Sequence, residues 1–256
     1  MSDIEFFCEG HVAHVRLNRP KSLNAINSEM DQALHDAWHE INRDPEIWVV
    51  VLSAEGERAF CVGADVSGGA ERPSRMALGG GLTGVGGPLV KLNKPMIAAV
   101  QGYVLGGGFE LALCADIIVA ADSALFAVPE TKAGIIGECG VLHRTMRQLP
   151  PRIAMAMILT GERMPASDAL QHGLINEVVP FADLQAAAAR WAEKVVLASP
   201  LANQAAKSAA WQGLESSLET ALSTRYEPIE NYAFSADRLE GRNAFVEKRK
   251  PVWRGL

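Results

Sequence analysis

The sequence predicts an α/β fold, because strand-length apolar runs alternate with segments of helical periodicity and the C-terminal quarter keeps only helical spacing. Residues 11–17 alternate polar and apolar side chains, as a half-buried strand should. Residues 18–20 (Asn-Arg-Pro) end that strand, and residues 28–41 come next with Met30, Leu34, Trp38 and Ile41 on one helical stripe. Residues 48–52 form a continuous β-branched apolar run, the pattern of a strand covered on both faces. Further buried strands are predicted at 96–100 and 117–120, and a last strand signal at 174–179. Residues 183–198, 201–212, 217–232 and 237–248 read as helices, with alanine-rich faces suited to close approach. No fixed-period repeat and no low-complexity linker marks an independent second domain.

Composition narrows the function classes. A 256-residue chain that is 48% hydrophobic and 21% charged can bury a sizeable core. The formal charge of −6 gives no global basic field for nucleic acid, and 6% aromatic content offers little for base stacking. Cys8, Cys61, Cys114 and Cys139 are far apart and lack metal or redox spacing, so reduced thiols in a cytoplasmic protein are expected. The acidic start MSDIEFFCEG is not that of a secretory leader, and no apolar run approaches the roughly 18 residues of a membrane span.

Three short motifs could carry chemistry. Gly106-Gly107-Gly108 comes after a buried strand and opens a predicted helix through Cys114, with Glu110 about one turn in. Such a glycine run either lets backbone amides approach a ligand or is only a tight strand-to-helix turn. Gly63-Ala64-Asp65 ends another short apolar piece, and Asp65 could simply cap the next segment. Val128-Pro129-Glu130 brings a second carboxylate, or a surface turn. Two amide donors can hold a developing oxyanion and two acids can move protons beside it, the outline of an enolate site. Residues 67–88 hold eight glycines and two prolines in 22 positions, the composition of a mobile functional loop.

Other patterns lack the context they need. Gly79 to Gly84 spells GxGxxG, but no strand precedes it and no placed acid comes after it. His35 and His39 lie one helical turn apart, yet Asp36 stands where a zinc protease has glutamate and no third ligand is evident, so a polar helix face is expected and no metal. No GxSxG elbow is present.

The segments FCVGADV, VLGGGFELALCADIIVA and AVPETKAGI, in this order and spacing, resemble the enoyl-CoA hydratase/isomerase (crotonase) superfamily. Residues 18–25, 173–179 (GLINEVV) and 245–250 (FVEKRK) resemble its further signatures, so the likeness covers essentially the whole chain. The AVPETKAGI, GVLHR, QLPP and TGERM-ASDAL pieces resemble the carnitinyl-CoA dehydratase type. The resemblance implies a spiral of repeated ββα units over residues 1–195 and a helical region, 196–256, that assembles trimers or dimers of trimers. It implies backbone amides of Ala64 and Gly107 around a thioester carbonyl, with Glu110 and Glu130 as the acids that hold a water. Lys21, Ala25, Ala64, Asp65, Val66, Ser67 and Gly106 would line the groove for coenzyme A, with Phe245 and Lys248 approaching from a neighbouring subunit. Lys248, Arg249 and Lys250 would then supply charge for phosphates. No cofactor is implied, since coenzyme A belongs to the substrate, and the partners implied are an acyl-CoA and further copies of the chain, not nucleic acid or membrane. The expected activity is reversible hydration of a trans-2-enoyl-CoA. The alternatives are carnitinyl-CoA dehydration, enoyl-CoA isomerisation, another acyl-CoA reaction, or an idle CoA- or RNA-binding homologue. Where many hydratases have Pro-Gly-Ala-Gly-Gly, this chain has Gly137-Glu138-Cys139-Gly140-Val141; Glu138 is either a third acid near the pocket or a cap for the helix beginning near Gly140.

Overall fold

Three successive stretches of the chain each lay one strand into a large sheet and the next into a small one. The computed structural model describes residues 2–65, 83–87 and 89–256, so Val66, Ser67, most of the glycine-rich segment and most of the GxGxxG stretch lie outside the described residues. The stretches are β3 (Val49–Ala54) with β4 (Ala59–Cys61), β5 (Met96–Val100) with β6 (Tyr103–Leu105), and β7 (Ile117–Ala121) with β8 (Leu125–Ala127). An N-terminal hairpin, β1 (Ile4–Glu9) and β2 (Val12–Leu17), adds to one side of the large sheet, and β10 (Glu177–Val179) to the other. The large sheet has the order β1-β2-β3-β5-β7-β10 and is parallel except for the hairpin. In the small sheet, β4, β6 and β8 run parallel and β9 (Met164–Pro165) closes it antiparallel.

The unbroken apolar runs arise from covering both faces of the large sheet. Val50, Leu52, Met96, Ala98, Val100, Ile118 and Ala120 point into the main core, which α1 (Ser28–Arg43) joins through Met30, Leu34, Trp38 and Ile41. The alternate residues Val49, Val51, Ile97, Ala99, Val119 and Ala121 face a second core under Leu184, Ala187, Ala188 and Ala192. These last four lie on α6 (Leu184–Val196), whose small side chains bring the helix close to the strands. Strand side chains alternate by two, so each run serves both layers, and each buried Val or Ile contributes about 1.5–3 kcal/mol.

α2 (Gly107–Leu113) comes after β6, α3 (Val141–Gln148) and α4 (Pro151–Thr160) after β8, and α5 (Ala166–Gln171) after β9. The last part of the chain is helical: α7 (Pro200–Gly213), α8 (Leu218–Ser223), α9 (Glu227–Ala233) and α10 (Ala236–Glu247). The single helix expected over 217–232 is two, broken at Thr224–Tyr226, with Pro228 in the first turn of α9 where its missing N–H costs nothing. None of the described helices is long and apolar enough to cross a membrane.

Candidate active site

Parallel pairing of β4 with β6 sets Cys61 opposite Val104, so the residues three positions on, Ala64 and Gly107, leave the small sheet side by side. A Cβ built on Gly63 would lie 3.1 Å from the Gly107 nitrogen, which measures how closely the two bends approach. The Ala64 and Gly107 amides donate to no protein acceptor among the described residues. Their neighbours are used: Ile26 donates to the Gly63 carbonyl at 2.8 Å, and Asp65 donates to that of Ile26 at 2.9 Å. Gly106 turns the corner at φ 52° and ψ −123°, a region open to glycine and strained for other residues.

The same logic delivers the second carboxylate. β6 pairs in parallel with β8, Leu105 opposite Ala127, and Gly106 donates to the Ala127 carbonyl at 3.0 Å. Three residues past Ala127, Glu130 opens a short 3-10 helix, Glu130–Ala133. A Cβ at Gly106 would stand 2.6 Å from Glu130 Oε1, so the side chain lies against the glycine corner. Glu130 Oε2 is buried and has no hydrogen-bond partner among the described residues. Burial raises the Glu130 pKa, and its own backbone N–H opposes the rise.

Glu110 projects from α2 with its side chain only 2% exposed. The Val141 amide, at the start of α3, donates to Oε2 at 3.0 Å, and Arg144 Nη1 lies 3.5 Å from Oε1. Burial nevertheless pushes Glu110 up to about 8; Arg144 and the Val141 amide lower it, and the Glu130 charge raises it. The residues 137–140 span both carboxyls, since a Cβ at Gly137 would be 3.5 Å from Glu130 Oε1 and one at Gly140 3.7 Å from Glu110 Oε1. The two acids therefore share one corner beside two amides that donate to no acceptor among the described residues.

Glu138 does not cap the adjoining helix: the N-cap is Gly140, without a side-chain bond, and the amide of Val141 is taken by Glu110 instead. Glu138 itself is exposed. Asp65 does not act alone, because Arg19 Nη1 holds its Oδ2 at 2.9 Å and also reaches the Ala25 carbonyl. That contact fastens buried Ala25 beside the Ala64 bend, while Lys21 stays exposed on the preceding 3-10 turn. Phe245 and Lys248 are not brought to the acids within one chain; α10 packs mainly on α7 and α9, and Phe245 is 85% exposed. Arg249 is not a spare cation, being ion-paired to Glu240 and Glu247. Arg144 is the site residue that sequence reasoning missed; its segment GVLHR stood out, but nothing in the spacing linked it to Glu110.

This pairing of two amide-bearing bends with a buried acid, Glu110, and a half-buried one, Glu130, defines the class. The chain belongs to the enoyl-CoA hydratase/isomerase family, whose model matches residues 8–255. It is similar to the carnitinyl-CoA dehydratase of Proteus mirabilis, 38% identical over 96% of both chains, and to that of Salmonella typhi, 40% identical over the same shares. A solved structure from Novosphingobium aromaticivorans, provisionally named a short chain enoyl-CoA hydratase, is 66% identical with a TM-score of 0.93, covering 100% of this chain and 99% of that one. An enoyl-CoA hydratase from Mycobacterium tuberculosis is 34% identical with a TM-score of 0.92 over the whole of both chains. The family fold, an α/β spiral with a helical C-terminal region, is thus present here.

Proposed function

We propose that the protein is a lyase that adds water reversibly across the double bond of a trans-2-enoyl-CoA. The observation that carries this reading is the pair of carboxyls, buried Glu110 and half-buried Glu130, at the corner where the Ala64 and Gly107 amides donate to no acceptor among the described residues. In the hydration direction the thioester oxygen accepts hydrogen bonds from those two amides as charge moves onto it. Water oxygen bonds to the β-carbon, one carboxylate takes the water proton, and the other carboxyl gives a proton to the α-carbon. One acid must start ionised and the other protonated. Burial raises the pKa of both, and the Glu130 charge raises that of Glu110 further, which favours a pair that carries one proton. Each oxyanion donor of this kind is worth about 2.7–4 kcal/mol in the transition state. The steps need no metal or redox cofactor, and coenzyme A enters as part of the substrate.

The curated relatives favour the reverse direction, dehydration of a 3-hydroxyacyl-CoA, on the same residues. Isomerisation needs only one acid, so retention of both Glu110 and Glu130 argues for hydration chemistry.

The groove for coenzyme A is assigned to Lys21, Ala25, Ala64, Asp65, Val66, Ser67 and Gly106, completed by Phe245 and Lys248 of an adjoining copy. Support for assembly comes from apolar exposure on residues 196–256: Leu218 is 75%, Phe234 92% and Phe245 85% exposed. On this reading, residues 1–195 carry the acids and 196–256 carry the contacts that build a trimer or dimer of trimers. Purified protein should bleach the conjugated absorbance of an enoyl-CoA, and Glu110→Gln and Glu130→Gln should each nearly abolish this. No turnover over a broad acyl panel, or full activity in either variant, would refute the reading.

A further inference from the structure

We propose that Arg144 is a positioning residue for Glu110: its guanidinium, anchored to the Gly86 and Cys139 carbonyls, fixes the Glu110 carboxyl and ties it to the 83–87 turn. The inference rests on Glu110 being one of the two proton-transferring acids. Arg144 Nη2 donates to the Gly86 carbonyl at 2.8 Å, while Nη1 lies 3.5 Å from both the Cys139 carbonyl and Glu110 Oε1. The contact is sheltered, with side-chain exposures of 16% for Arg144 and 2% for Glu110.

Two glycines with left-handed backbones frame the guanidinium. Gly140, at φ 115°, would overlap Arg144 Nη1 if it carried a Cβ, and a Cβ at Gly86, at φ 76°, would stand 3.1 Å from Nη2. A side chain at either position would push the guanidinium off the line to Glu110. The planar fork of arginine serves two directions at once, which a lysine ammonium on a flexible stem cannot reproduce.

Among the described residues, the groups facing Glu110 are few. Arg144 comes from α3 and Glu130 from the 3-10 helix after β8. The thiols of Cys114, pushed up to about 11, and Cys139, pushed up to about 12, stay neutral in the working range. Asp31 on α1 and Glu138 bear on Cys139. Arg144 favours the ionised form of Glu110, so its removal moves the Glu110 titration to higher pH. Whichever limb of the kcat/KM profile reports Glu110 moves the same way.

The test compares wild-type protein with Arg144→Gln and Arg144→Lys, using two readouts. The first is a carbon-13 NMR titration of labelled glutamate carboxyls in the free protein, with Glu110 assigned by its loss in Glu110→Gln. The second is kcat and KM against pH on an enoyl-CoA. In Arg144→Gln the Glu110 midpoint should rise by about half a pH unit or more, and kcat should fall about tenfold or more with KM little changed. Arg144→Lys keeps the charge, so the midpoint should return toward wild type while kcat stays several-fold low. An unmoved midpoint in Arg144→Gln, or wild-type kcat in Arg144→Lys, would overturn the proposal; the lysine variant alone decides if the glutamine variant does not fold. If wild-type protein turns over no enoyl-CoA, the functional reading fails, and the NMR midpoint still decides whether Arg144 holds Glu110.

Discussion

Replacing Glu110 by Gln should change how stability depends on pH, and the size of the effect can be worked from the site. Glu110 is raised from 4.5 to about 8, by burial first and by the Glu130 charge last, against the pull of Arg144 and the Val141 amide. A folded pKa above the unfolded one means that the native state holds a proton that the unfolded chain has released. The contribution is therefore fully present below about pH 4.5 and is lost as pH rises through about 8. One pKa unit corresponds to about 1.4 kcal/mol, so a shift of this size is worth roughly 5 kcal/mol, to order of magnitude. Gln is isosteric, still accepts from the Val141 amide, and does not titrate. Urea unfolding of wild type and Glu110→Gln, at one protein concentration and at several pH values from about 5 to 9, isolates the difference. Wild type should lose about 1.4 kcal/mol per pH unit relative to the variant over the middle of that window. Curves that stay parallel within about 1 kcal/mol would refute the claim that the site keeps Glu110 protonated by burial.

Gly106→Ala should cut kcat far more than it cuts stability, because a Cβ there meets Glu130 Oε1 at 2.6 Å and the backbone sits at φ 52°. Backbone strain of this kind costs about 1–3 kcal/mol; steady-state kinetics beside thermal unfolding separate the two effects, and wild-type kcat would contradict the placement of Glu130. Phe245→Asp removes a side chain that is 85% exposed in the single chain, so folding should be nearly unaffected. Light scattering should nevertheless show a smaller assembly, with KM for the acyl-CoA raised, and an unchanged mass and KM would contradict a shared groove.

The elements legible in the sequence are those with enough residues to show a period. The runs at 48–52, 96–100 and 117–120 stood out because both faces of these strands are largely buried. The small sheet left almost no trace: β4, β6 and β8 have three residues each, too few for alternation to register. β1 was missed as well, since Phe7, exposed on the same face as Glu5 and Glu9, breaks the alternation of apolar and polar side chains. The break in 217–232 did have a signal, Pro228, which fits only the first turn of a helix. At the site, the glycine run with Glu110 and the Pro129-Glu130 turn each allowed a plain-turn reading, and only their order and spacing, which resemble the crotonase signatures, singled them out. Arg144 did not, because its contact with Glu110 spans 34 positions and depends on how α2 meets α3. The proposed approach of Phe245 and Lys248 from a second copy has no counterpart in the pattern of a single chain.

If Glu110 and Glu130 together deliver the elements of water to a carbon–carbon double bond, the oxygen they deliver can be traced. Turnover of a trans-2-enoyl-CoA in oxygen-18 water, with mass spectrometry of the product and of its hydrolysed acid, does so directly. One heavy oxygen is expected on the β-carbon hydroxyl, with the thioester intact, and neither Glu110→Gln nor Glu130→Gln should incorporate it. Label in a released carboxylate would indicate thioester cleavage, and a shifted double bond without label would indicate isomerisation; either result would contradict the role given to the two acids.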